Sequence, residues 1–259
     1  MALPALVVAL ALGLACQAVS AQTPSPPPPP SAERPPVSPP RLPPGPPPLP
    51  GGEADVPKPA VEELGEGRLR IGALTVDQRA RTFSVAGEVL DLGSPDAPLE
   101  FFAIAKHGHK AYESAVMVET DAIAFNLACL LIGLDGAGAT QPERHFDPNP
   151  VNGDPVTVTV SWQEGDKRIT RPASALLRVS AGEAPATDEW VYTGSFFLPD
   201  GRYAAHLVGT LIGFVHDRES IIQHQSGLGL GAYGAVTYGG PAAPPVGTKV
   251  IVTVAKAGR

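Results

Sequence analysis

Val156-Thr157-Val158-Thr159-Val160-Ser161-Trp162 alternates apolar and polar side chains without a break. Successive side chains leave opposite faces of an extended backbone, so period-two alternation marks a half-buried strand. The polar turn QEGDK follows, and Arg168-Ile169-Thr170 runs back. The stretch therefore predicts a hairpin with Val156, Val158, Val160 and Trp162 facing inward.

The same pattern recurs on both sides. Leu69 to Val76 and Phe83 to Val89 are strand-like around the polar turn DQRART, which predicts another hairpin. Leu99 to Ala105 (LEFFAIA) is apolar on both faces, as a central strand would be. The polar loop KHGHKAYES follows, then the short run AVMV. Downstream, Glu189–Leu198 and Arg202–Val208 flank the turn triplet Pro199-Asp200-Gly201. Leu211–Val215 and Lys249–Val254 read as further strands, Pro172–Val179 as a short helix, and Asp217 as the cap of a helical turn through Ile222.

One helix stands out. Asp121 is a suitable N-cap, and Ile123, Leu127, Leu130, Leu131 and Leu134 recur at helical spacing. Phe125, Cys129 and Ile132 make the other side apolar too, so the helix is expected to be buried, with Cys129 a small core residue. At about 14 residues it is too short to span a bilayer. Hairpins around one helix argue an α+β fold: a mainly antiparallel sheet of about eight strands with one buried helix.

Composition divides the chain. It has 259 residues, 31 prolines, 28 glycines, two cysteines and a net charge of −7. Residues 1–60 hold 19 of the prolines and equal numbers of acids and bases, so the acidic excess belongs to 61–259. A domain of that size buries roughly 70% of its unfolded surface and folds as one unit. Its acidity argues against nucleic acid as a partner.

The leader MALPALVVALALGLA is shorter than a membrane span and reads as a secretory signal over 1–21. Two processing routes stay open: cleavage after Val19-Ser20-Ala21, or a lipoprotein-like site at Leu14-Ala15-Cys16, where Cys16 would carry a lipid anchor. Gln22 to Ala60 includes PSPPPPP and RPPVSPPRLPPGPPPLP. Proline fixes φ and removes N–H donors, so this is expected to be a disordered linker favouring polyproline II. Extended, it would reach at most about 120 Å. The globular domain is expected over 61–259.

The paired strands LRIGALTVD and FSVAGEV, the segment EFFAIAKHGHKAYES and the capped helix DAIAFNLACLLIGL together resemble the YdjY-domain family. EWVYTGSFF, GTLIGFVHD and the tail PPVGTKVIVTV extend the likeness across 69–255. The resemblance implies an exported or envelope protein; it implies no particular reaction. The family pattern Gly-Lys-x-His-Glu-Ser stands here as His109-Lys110-Ala111-Tyr112-Glu113-Ser114. Lys110, Glu113 and Ser114 match. Tyr112 takes the place of the histidine, which argues against a catalytic histidine there.

Lys110, Glu113 and Ser114 are accordingly candidate binding residues, although the spacing does not fit an S-x-x-K nucleophile. His107 and His109 form an H-x-H pair whose side chains would share a face of an extended chain. With His206, His216 and Glu113 they could offer ligands to zinc or copper. Gly229-Leu230-Gly231-Ala232-Tyr233-Gly234 matches G-x-G-x-x-G, but no acid follows Glu219, so a dinucleotide site is not expected. Trp190, Tyr192 and Phe197 read as core or packing edge.

The sequence thus favours a non-catalytic binding or scaffold module. It is expected to be exported to the periplasm or envelope, to need no cofactor, to have no transmembrane helix after processing, and to partner a protein or envelope component. The alternative is a metal-binding protein or metal-dependent enzyme using His107, His109 and further histidines.

Overall fold

Period-two alternation and continuous apolar runs become fourteen strands among the described residues, which are 58–180, 186–231 and 233–258 of a computed structural model. They are β1 (Val61–Gly65), β2 (Arg68–Ile71), β3 (Leu74–Asp77), β4 (Thr82–Val89), β5 (Phe101–Ala105), β6 (Ser114–Val118) and β7 (Asp154–Glu164). Then come β8 (Lys167–Pro172), β9 (Leu177–Val179), β10 (Trp190–Tyr192), β11 (Thr210–Gly213), β12 (Ile222–His224), β13 (Val236–Tyr238) and β14 (Lys249–Lys256). Two helices join them, α1 (Ala122–Leu131) and α2 (Ala204–Val208). The leader, Cys16 and the linker up to Pro57 lie outside the described residues.

Eight strands close on themselves. The order β4-β14-β7-β10-β12-β11-β5-β6 returns to β4 through Gly87↔Val118 and Val89↔Val116. Six of the eight contacts in this ring are antiparallel; β5–β6 and β11–β12 are parallel. The protein is therefore mostly β with a closed eight-strand barrel: the expected mainly antiparallel sheet of about eight strands fits in part, while the α+β class gives way to a barrel with few helices. Closure needs three-residue strands such as β10 and β12 and two parallel pairings, none of which leaves a long periodic signal.

The hairpin β7–β8 forms as its alternation requires, in register from Thr159↔Pro172 to Glu164↔Lys167. Val156, Val158, Val160 and Trp162 are all buried, as are all five residues of β5. Each fully buried side chain of this size contributes roughly 1.5–3 kcal/mol. The long strands β4 and β7 branch. One edge of β4 gives its first half to β3 and its second half to β6. One edge of β7 serves β10 early and β8 late. Other expectations fail locally. Leu69–Val76 is two strands around Gly72, and Arg202–Val208 is a strand in expectation but contains α2. Pro172–Val179 is a 3₁₀ turn plus β9, and Asp217–Ile222 is a turn rather than helical.

The two ends of the barrel differ. At one end β6 stops, and Asp121 caps α1 by accepting from the N–H groups of Ile123 (2.8 Å) and Ala124 (2.9 Å). Phe125 meets Phe83 edge-on at 5.0 Å, so α1 packs its inner side onto that end. Its outer side is open, with Leu130 47% exposed, so the helix is buried on one side only. The other end collects the starts of β5 and β6 and the segment leaving β11.

Candidate functional site

Topology assembles a polar cluster at the end away from α1. β5 and β6 run parallel with Phe101 opposite Ser114, and β11 runs antiparallel to β5 with Gly213 opposite Phe101. Glu100, Glu113 and Asp217 are thereby brought together from three chain segments. The Glu100 N–H donates to the Glu113 carbonyl (2.9 Å), and the Glu100 carbonyl accepts from the N–H groups of Phe214 and Val215.

Parallel pairing forces residues 106–113 to return along β5. A 3₁₀ turn, Ala111–Glu113, ends the return, and the Ser114 hydroxyl donates to the Lys110 carbonyl at 2.8 Å. This aims Lys110 Nζ over the Phe101 ring, 4.6 Å from its centre, and 3.8 Å from Asp217 Oδ2. A fourth segment supplies His145. Asp147 pins that loop by accepting from the N–H groups of Glu143 and Asn149, and the Phe146 N–H donates to the His216 carbonyl. His145 Nε2 then lies 3.0 Å from Glu100 Oε2, and its Nδ1 lies 3.9 Å from Asp217 Oδ1.

The carboxylates are nearly sealed from water: Glu100 is 5% exposed, Glu113 6% and Asp217 3%. Burial, then the neighbouring Glu100 charge, pushes the Glu113 carboxyl up. Burial, then a hydrogen bond with Glu219, pushes Asp217 up to about 7, while Glu219 is held low. The two carboxyl groups titrate as a pair, with Asp217 the harder of the two to ionise. The hydrogen bond to Glu100 raises His145 above the ordinary imidazole value. Tyr112 (67% exposed) and Tyr233 (66%) stand at the rim. The nearby Glu113 charge raises the Tyr112 phenol. Glu100, Glu113, Asp217 and Glu219 set four carboxyl groups against the Lys110 ammonium and the His145 imidazole. The arrangement can accept hydrogen bonds or a cationic group and can exchange a proton at Asp217.

Of the residues the sequence nominates, Lys110 and Glu113 enter this cluster. Ser114 is fully buried with its hydroxyl committed to the Lys110 carbonyl. His107 and His109 are exposed on the return loop, and His206 is exposed on α2. His216 is fully buried, its Nδ1 2.6 Å from the Asp147 carbonyl oxygen and its Nε2 3.1 Å from that of His224. The four histidines do not converge. Among the described residues no group of three or more His, Cys, Asp or Glu side chains has metal-binding geometry. Trp190 and Tyr192 are core, but Phe197 is 68% exposed and leans on Tyr203. The glycine-rich stretch leads into β13 rather than a helix, and Tyr233 projects from it.

Glu100, His145, Asp217 and Glu219 carry no sequence motif. The available signal was Glu100 as the single charge inside LEFFAIA. Elsewhere, a cleft of about 490 Å³ on the outer wall is lined by Trp162, Arg168, Lys249 and Glu119. Its charges are already engaged, Lys249 with Glu88, Glu119 with Lys106 and Arg168 with the Ser161 hydroxyl. Among the described residues no helix is long and apolar enough to cross a membrane.

A family model described as YdjY domain matches residues 74–255. No curated protein matches the chain. No solved structure matches it either.

Proposed function

The chain belongs to the YdjY domain family, and from that premise we propose that it is an exported, envelope-tethered binding module that acts without catalysis. Its recognition surface is the barrel end bearing Glu100, Lys110, Glu113, His145 and Asp217 between Tyr112 and Tyr233. The leader and proline-rich linker support export and tethering, since a stiff, coreless arm suits a spacer between an anchor and a folded body. The partner is a protein or envelope component.

One observation carries the reading. Three carboxylates from separate segments are each at least nine-tenths buried at one end of the barrel. Burying ionisable groups costs stability unless they are paired, and packing alone would favour apolar residues there. Such clusters persist where a ligand uses them. Exposed tyrosines beside them supply flat contact area with a polar tip, the usual make-up of a binding rim.

Co-sedimentation of the full chain with isolated envelope fragments tests this. Wild type is retained, and the triple variant Tyr112→Ala, Tyr233→Ala, Glu113→Gln loses at least about tenfold in retention, which is 1.4 kcal/mol, while keeping its circular dichroism. Equal retention of both proteins would overturn the proposal.

A further inference from the structure

Barrel closure uses up most strand edges, but in the twelve-stranded sheet two strands keep one edge unpaired among the described residues. β1 pairs only with β2, and β8 only with β7. An unpaired edge presents backbone N–H and C=O groups that another strand can take up. On β8 the two-residue turn Gly165-Asp166 makes Glu164 and Lys167 exchange their backbone bonds, so Arg168 and Thr170 turn theirs outward. The Thr170 carbonyl accordingly accepts the guanidinium of Arg171, at 2.9 Å. On β1 the same alternation, counted from the turn at Gly72-Ala73, turns Val61 and Glu63 outward.

The two edges carry opposite charge. β8 reads Lys-Arg-Ile-Thr-Arg-Pro and is exposed except at Ile169. Lys167, Arg168 and Arg171 have no carboxylate within ion-pair distance among the described residues. β1 reads Val-Glu-Glu-Leu-Gly. Glu62 has Arg70 at 3.2 Å, whereas Glu63 has no cation at that range among the described residues. Val61, 48% exposed, adds an apolar contact at the edge. Charged edge strands ordinarily hinder pairing. Here like edges of two copies repel, cation on cation or acid on acid, while unlike edges attract.

We propose that a second copy of this chain docks here, the acidic β1 edge of one copy adding as a strand to the basic β8 edge of the next. The contact is heterologous: each copy uses one edge as donor and the other as acceptor, so the assembly is head-to-tail. Five residues of β1 match six of β8 in length. Pro172, without an N–H, ends the docking edge.

Sedimentation of the full chain across concentration and salt provides the test. Wild type gains mass above the monomer as concentration rises, and raising salt from about 0.02 M to 0.5 M weakens the association at least about tenfold. Lys167→Glu with Arg171→Glu, which spares the Arg168 bond to Ser161, is monomeric alone. Glu62→Lys with Glu63→Lys is also monomeric alone. An equimolar mixture of the two double variants assembles, because each edge again meets its opposite. A wild type that stays monomeric at every concentration overturns the proposal. So does a double variant that associates as wild type does, since that places the contact on another surface.

Discussion

His145 Nε2 stands 3.0 Å from Glu100 Oε2, joining a loop residue to the start of a central strand. The partners are 45 residues apart in sequence, and their union depends on the Asp147-pinned loop reaching the barrel end. The bond raises His145 above its ordinary value. Its stabilising effect is complete below the unfolded pKa and is lost as pH rises through the raised folded value. His145→Ala should therefore cost about 1 kcal/mol near pH 6, the His being half-exposed, and less near pH 9. Urea unfolding at the two pH values checks this; an equal loss at both contradicts it.

Asp217 has the same sign for a different reason. Burial raises its carboxyl to about 7, so its contribution is present below the unfolded pKa and is lost as pH climbs towards 7. Glu113 is raised as well and adds to that loss. Glu219 is lowered and acts oppositely, with stability lost as pH falls through its folded value. The thermal midpoint should be highest on the acid side of neutrality. Asp217→Asn should flatten the fall above it and gain about 1 kcal/mol at pH 8 relative to wild type. A midpoint that instead climbs steadily to pH 8 in wild type refutes the assignment.

Gly209 adopts φ +84°, and a Cβ there would come 2.5 Å from the Gly108 Cα. The end of α2 and the return loop touch backbone to backbone. Gly209→Ala meets both a left-handed backbone and a clash with main chain, so it should destabilise by more than about 1 kcal/mol. Gly138→Ala, also at positive φ but facing open space, should cost less. Paired denaturation curves decide the ranking.

Phe125 and Phe83 join α1 to the barrel. Phe125→Ala should lose about 3–5 kcal/mol, because a residue with no exposure leaves a cavity its neighbours fill only in part. Leu130→Ala, on the open side of the same helix, should lose under about 1 kcal/mol. Calorimetry showing similar losses would place the helix differently.

Local periodicity explains what could be read from sequence alone. VTVTVSW, FSVAGEV and the Asp121 cap act over a few residues, and each forms the element expected of it. The barrel escapes such a reading because its closure lies in the pairing of Val89 with Val116 and in three-residue strands held by distant neighbours. The site behaves likewise. Lys110 and Glu113 were visible as polar residues in a motif-like loop, whereas His145 and Asp217 reach them only through the fold.

The central claim is that the rim beside Glu113 meets an envelope partner. A photo-crosslinking residue at Tyr112, compared with one at exposed Arg79 in the β3–β4 turn, tests it in intact cells. A discrete adduct from position 112 that is absent from position 79, and that Glu113→Gln weakens, is the predicted result. Adducts of equal yield from both positions, or none from 112, would contradict it.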